Sequence, residues 1–265
     1  MRNRPIGIFD SGIGGLTVLK EISKILPEED LVYFGDTARV PYGSKSRETV
    51  IKFSIQDADF LVRQNVKMIV VACNTSSSLS LQTLKRRYDI PVVGVIKPGA
   101  VKAAAMTKRL KVGVIGTKAT ISSGVYDREI KNVNGRINVV AASCPLFVPL
   151  VEEGWLKTDI TEMSAHRYLD PLRKKGIDTI VLGCTHYPLL RPVIRRFFGD
   201  DVCIVDSARQ TAWSVRDILR KNGIGKTGGR GTYRFYVSDE PGLFKKIGSR
   251  FLGSRISKVK KVNVG

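Results

Sequence analysis

Two of the four cysteines stand where a chain can place a reactive group. Cys73 closes the run Met68-Ile69-Val70-Val71-Ala72 and precedes Asn74-Thr75. Cys184 closes Thr179-Ile180-Val181-Leu182-Gly183 and precedes Thr185-His186. Each thiol lies one step past a buried apolar strand, the end at which α/β proteins gather functional groups. A structural cysteine sits more naturally inside the apolar run as a small hydrophobe, and that reading is kept for Cys144 and Cys203. Two thiols facing one cleft suit a particular proton transfer. One removes a proton from one face of a tetrahedral carbon, the other returns a proton to the opposite face, and the roles exchange with direction. A free thiol titrates near about 8.5, close enough to neutrality for cations, helix N-termini or hydrogen bonds to tune it into a base.

The remaining motifs narrow the chemistry. The turn Asp10-Ser11-Gly12-Ile13-Gly14-Gly15-Leu16 is not a dinucleotide fingerprint, because Thr17 replaces the third glycine and Asp10 would oppose a pyrophosphate. Asp10 and Ser11 read better as hydrogen-bonding partners for an ammonium and a carboxylate, with helix capping a comparable alternative for Asp10. No Cys-x-x-Cys pair or zinc spacing occurs, so no metal is expected. Gly225-Lys226-Thr227 is not a phosphate loop, since Arg220 takes the place of its first glycine and a helix precedes it. His166, on an amphipathic stretch, receives no role.

The elements that must position these groups alternate. Strands are expected at Ile6–Phe9, Leu31–Phe34, Met68–Ala72, Val92–Val95, Val112–Ile115, Ile137–Ala141, Thr179–Leu182, Cys203–Val205 and Tyr233–Val237. Helices are expected at Leu16–Lys24, Arg47–Gln64, Ser78–Tyr88, Gly99–Thr107, Thr161–Lys175 and Ala208–Asn222. Near-continuous Val/Ile runs alternating with amphipathic segments predict an α/β fold with mainly parallel, doubly wound sheets. The order also repeats. Ile6–Ser11 recurs in form as Val112–Thr117, an offset of 106 residues, and Met68–Thr75 recurs as Thr179–His186, an offset of 111. That period is too long for a solenoid and predicts two similar lobes with the active site in the cleft between them. Val95–Gly99 reads as the crossover, giving a first lobe of residues 1–96 plus 207–265 that carries Cys73. The second lobe, residues 97–206, carries Cys184.

Lys and Arg number 44 against 24 acids in 265 residues, a net charge of +20. They are scattered, densest from Lys245 to Lys261, and accompany no nucleic-acid-binding motif. A solvated basic surface is the favoured reading. Specific nucleic-acid binding is not expected, although a basic nucleic-acid-binding protein stays an alternative. No apolar stretch is long enough to span a bilayer and no targeting segment is evident, so a cytoplasmic protein without membrane contact is expected.

The combined motifs are similar to those of the glutamate racemases, in the aspartate/glutamate racemase family, the enzymes that supply D-glutamate for peptidoglycan. The match rests on Asp10-Ser11-Gly12-Ile13-Gly14-Gly15-Leu16-Thr17-Val18, Phe34-Gly35-Asp36-Thr37-Ala38 and Val40-Pro41-Tyr42-Gly43. It continues in Ala72-Cys73-Asn74-Thr75 and Leu182-Gly183-Cys184-Thr185-His186-Tyr187-Pro188. The resemblance implies racemisation of glutamate by two cysteines without a cofactor. Cys73 and Cys184 are then the acid–base pair, with Asp10 and His186 assisting them. Substrate binding falls to Asp10, Ser11, Pro41, Tyr42, Gly43, Asn74, Thr75, Thr185 and His186, with Glu152, Thr117, Thr120 and Asp36 as further candidates. Glu152 is read as lying in a loop. A homodimer is among the assemblies that the family forms. An aspartate or related amino-acid racemase of the same superfamily is the nearest alternative, and a pyridoxal-phosphate enzyme is disfavoured because no lysine-centred phosphate site is evident.

Overall fold

A computed structural model describes residues 1–264. Two separate parallel sheets organise the chain. The first contains β1 (Ile6–Asp10), β2 (Leu31–Gly35), β3 (Met68–Val71), β4 (Val92–Gly94), β9 (Tyr233–Val237) and β10 (Lys260–Lys261), in the order β10-β9-β2-β1-β3-β4. The second contains β5 (Lys111–Gly116), β6 (Asn138–Ser143), β7 (Thr179–Gly183) and β8 (Cys203–Asp206), in the order β6-β5-β7-β8. Every pairing is parallel. Strands β1, β3 and β7 are fully buried along their length and β5 from its second residue on, as expected of strands covered on both faces.

The internal repeat has a structural counterpart. The arrangement β2-β1-β3-β4 matches β6-β5-β7-β8, and the repeated segments fall on β1 and β5 and on β3 and β7. Within each sheet the strand order reverses between the central pair, which opens a crevice at the carboxyl ends. Phe9 of β1 pairs with Val71 of β3, so the residues just beyond, Ser11 and Cys73, emerge side by side. Gly116 pairs with Gly183 in the second sheet, which places Thr117 beside Cys184 in the same way.

Helices α1 (Leu16–Ile25), α5 (Ile96–Met106) and α11 (Ser207–Lys221) pack on one another between the sheets. One apolar core runs through them, from Ile8 and Val70 to Val114 and Val181. The remaining helices are α2 (Arg47–Arg63), α3 (Asn74–Leu79), α4 (Leu81–Arg87), α6 (Lys118–Ser122), α7 (Val125–Val133), α8 (Phe147–Glu153), α9 (Asp159–Lys174), α10 (Arg191–Phe198) and α12 (Pro241–Leu252). Among the described residues no helix is long and apolar enough to cross a membrane.

Three sequence expectations change. The helix expected over Ser78–Tyr88 is two helices, α3 and α4, that meet at Ser80, and the first begins at Asn74 directly after the cysteine. Its serines are weak helix formers, and Ser77 Oγ is drawn into tertiary bonds with the Val71 carbonyl (2.8 Å) and the Val95 amide (3.1 Å). The presumed crossover Val95–Gly99 is already helical from Ile96, because Pro98 is tolerated in a first turn, where its missing N–H has no intrahelical partner. Glu152 lies on α8, not in a loop, near a C-cap formed by Gly154 at φ +80°.

Candidate active site

The crevices of the two sheets merge into one cavity of about 480 Å³. From the first sheet it receives Ser11, the segment Val40–Ser44 and Cys73-Asn74-Thr75. From the second it receives Thr117, Lys118, Cys184-Thr185-His186 and the segment Pro145–Glu152 through Pro145, Val148, Pro149 and Glu152. Both thiols reach it from nearly complete burial, each 6% exposed.

The two cysteines sit in different electrostatic surroundings. Cys73 is the N-cap residue of α3, and its Sγ lies 3.6 Å from Ser11 Oγ. Burial and then the nearby Asp10 carboxylate push its thiol up to about 11, despite the Ser76 amide, which favours the thiolate. Cys184 Sγ instead lies 3.8 Å from Nδ1 of His186, whose Nε2 is 2.9 Å from Glu152 Oε1. Burial alone would favour a neutral imidazole, but the hydrogen bonds to Cys184 and Glu152 outweigh it and raise His186 to about 10. The imidazole is therefore held protonated beside the second sulfur. Cys144, by contrast, is fully buried behind the site, and burial pushes its thiol far up. It accepts no role beyond packing, although its carbonyl fixes the Tyr187 hydroxyl at 2.9 Å.

Asp10 is fully buried and does not line the cavity. It accepts from the Gly12 amide at 3.0 Å and from Thr185 Oγ1 at 3.4 Å, so it ties the first glycine turn to the loop that carries Cys184. Burial raises its carboxyl pKa, against the pull of His186. Thr17 Oγ1 adds a bond to the Thr185 carbonyl at 3.1 Å. Gly14 is pressed against the same loop: a Cβ there would lie 2.5 Å from His186 Nδ1 and closer still to Thr185 Oγ1. The glycine turn is thus a docking surface for the opposite lobe's loop that carries Cys184.

The polar walls are assembled the same way. Asn74 Oδ1 accepts from the Tyr126 hydroxyl at 2.7 Å, while its buried Nδ2 has no partner among the described residues. A buried amide without a partner calls for an explanation, and Asn74 is one of the residues that line the cavity. Thr75, Thr117 and Thr120 hydroxyls form a triangle with sides of 2.9, 3.2 and 2.9 Å across the two lobes. Thr117 lines the cavity; Thr120 is buried behind it and does not. Gly43 meets Thr117 so closely that an added Cβ would lie 2.6 Å from the threonine Cβ.

Tyr42 lines the cavity and sends its hydroxyl into a buried acidic network. The hydroxyl contacts Asp36 and lies 3.0 Å from Asp57, with Arg39 donating to Asp36 at 2.6 Å and to Asp57 at 3.0 Å. Asp36 therefore supports the site from beneath rather than lining it. Burial, then the Asp36 charge, raises Asp57 well above the ordinary carboxylate range. Sequence reasoning missed Asp57, yet a signal existed: Val50, Ser54, Asp57, Ala58 and Leu61 share one helical face of α2, and that face is buried. Lys118 was also missed; as one cation on a short helix it carries no pattern.

A family described as Asp/Glu/Hydantoin racemase matches residues 6–215 of the chain. A relative named glutamate racemase from Geobacter metallireducens is 53% identical over 262 residues, covering 98% of this chain and 97% of its own. The solved glutamate racemase of Francisella tularensis in complex with D-glutamate superposes with a TM-score of 0.94 at 41% identity, covering 100% of this chain and 99% of that one. A glutamate racemase isoform of Bacillus anthracis gives a TM-score of 0.96 at 40% identity, over 99% and 98% of the two chains.

Proposed function

The chain belongs to the Asp/Glu/hydantoin racemase family, and on that premise we propose that it interconverts L- and D-glutamate by proton transfer between two cysteines, without a cofactor. The observation that carries this reading is the placement of Cys73 and Cys184 at equivalent strand ends of the two sheets, on one cavity. The Cys184 thiolate, beside the His186 imidazolium, takes the Cα proton of L-glutamate. The Cys73 thiol, kept protonated by burial and Asp10, delivers its proton to the opposite face. The C–H bond breaks toward one sulfur and a new C–H bond forms from the other, leaving Cys73 as thiolate and Cys184 as thiol. D-glutamate then runs the sequence backward, or proton exchange resets the pair.

An α-proton is far less acidic than a thiol, so the pocket must stabilise the developing carbanion. The unpaired Asn74 amide, the Ser11, Thr75 and Thr185 hydroxyls and the Tyr42-Gly43 backbone bind carboxylate oxygens in this scheme. Prearranged donors in a dry cavity act without reorganisation, and Val40, Pro41, Pro145, Val148 and Pro149 exclude water from the reacting carbon. His186 with Glu152 assists Cys184 directly. Asp10 acts through Cys73 and the Thr185 loop, not on the substrate. In this reading the first lobe comprises residues 1–96 and 207–265, of which Gly265 lies outside the described residues, and the second lobe 97–206. The protein works in the cytoplasm, supplying D-glutamate for peptidoglycan.

The test is formation of D-glutamate from L-glutamate without added cofactor, with L-aspartate assayed in parallel. Cys73→Ala and Cys184→Ala should each lose on the order of 10²–10⁴ in rate or more, since each removes a positioned acid or base. Near-normal turnover in either variant would overturn the two-thiol mechanism, and faster turnover of aspartate would overturn the substrate.

A further inference from the structure

The C-terminal helix α12 is built into the first lobe. Gly248 lies against α1, where a Cβ would come within 2.8 Å of Leu16 Cδ1, and Phe244 packs its ring 5.8 Å from that of Tyr33 on β2. Its last turn nevertheless reaches the second lobe. Phe251, 2% exposed, sets its ring 5.3 Å from the His186 imidazole at an interplanar angle of 84°. The neighbouring Arg250 points its guanidinium at the C-terminal end of α8, 3.4 Å from the Val151 carbonyl and 3.5 Å from that of Glu152. The imidazole is thus bounded by Cys184 at Nδ1, Glu152 at Nε2 and the phenyl ring of Phe251.

We propose that Phe251 is a positioning residue for racemisation: through it the lobe that carries Cys73 holds the imidazole that lies against Cys184. The proposal rests on the two-thiol reading above. Two hydrogen bonds fix the two ring nitrogens, but they leave the ring free to tip about the line between them. An edge-to-face aromatic contact removes that freedom, and a phenyl ring beside an imidazolium also favours the cation. Glu152 depends on the same helix, because Arg250 braces the end of α8 on which Glu152 sits. Closing the two lobes and activating Cys184 are then one event.

Phe251→Leu and Phe251→Met remove the ring and keep most of the apolar volume. The enantiomers have equal free energy in water, so kcat/KM must fall equally in both directions and cannot reveal which thiol was affected. Primary isotope effects can. With the Cys184 step slowed, the effect on kcat/KM for L-glutamate deuterated at Cα should rise, and that for deuterated D-glutamate should fall toward unity. The turnover rate should drop roughly three- to tenfold, the size of a well-packed aromatic contact. Isotope effects are ratios, so a partly unfolded variant still reports. Isotope effects equal to those of the wild type for both enantiomers, whatever the loss of rate, would reduce Phe251 to packing. A wild-type protein inactive on glutamate would instead sink the parent reading.

Discussion

Cys184 Sγ lies 3.8 Å from His186 Nδ1, whereas Cys73 meets the Ser11 hydroxyl at 3.6 Å and Ser76, with the Asp10 carboxylate nearby. Pseudo-symmetric strands thus deliver two chemically unequal thiols. An imidazole flanks one sulfur and a carboxylate stands near the other.

Heavy water should expose the two-sided transfer. Product formed from either enantiomer should carry solvent deuterium at Cα from the first turnovers, while unreacted substrate stays largely protiated. Equal labelling of both pools at early times would indicate a single base serving both faces.

Alkaline stability should depend on His186. Its pKa is raised from 6.5 unfolded to about 10 folded, so the folded state binds the proton more tightly. That contribution is fully present below about 6.5 and disappears as pH rises through about 10. The difference in Tm between the wild type and His186→Asn should therefore shrink steadily across this window. A difference that is constant from pH 6.5 to 10 would contradict the assignment.

Gly14→Ala should cost activity while preserving the fold. The new Cβ would collide with Thr185 Oγ1 and His186 Nδ1, and both side chains are nearly buried with little room to yield. Displacement of a catalytic group by about 1 Å can cost on the order of 100-fold. Circular dichroism should remain native while racemisation falls by at least about tenfold; full activity would show that the lobes separate easily at this contact.

Tyr42→Phe should destabilise the protein. The hydroxyl serves two buried carboxylates, Asp36 and Asp57, and leaving such groups short of a partner costs about 1–3 kcal/mol. For a chain of this size that corresponds to a Tm lower by roughly 2–10 °C. Phenylalanine keeps the ring and the backbone of this lining residue, so turnover per folded molecule should change less than stability does. An unchanged Tm would mean that the network does not depend on the hydroxyl.

The net charge of +20 should steer anionic substrate without conferring sequence recognition of DNA. Added sodium chloride shrinks the Debye length from roughly 10 Å at 0.1 M to about 3 Å at 1 M. Turnover at low substrate should fall with salt while saturated turnover holds, and DNA binding should appear only at low salt. Sequence-selective DNA binding at physiological ionic strength would assign the charge a second function.

Much of this site is legible along the chain because its first layer is local. A reactive residue one step past an apolar run must emerge at the carboxyl end of a parallel strand, so Cys73, Cys184, Ser11 and Thr117 declare themselves by position, and the repeat of β1 with β5 and β3 with β7 declares two lobes. What tertiary structure alone decided are the partners that approach from far away in sequence. His186 acquires Glu152 from α8 and Phe251 from α12, Asp10 turns away from the cavity to hold Thr185, and Tyr42 finds Asp57 on α2. Periodicity reports which face of an element is buried but not what it is buried against. The inequality of the two thiols is partly local, since His186 stands two residues after Cys184 where Thr75 stands after Cys73, but the Glu152 carboxylate that holds the imidazole and the Asp10 carboxylate near Cys73 are brought there by packing.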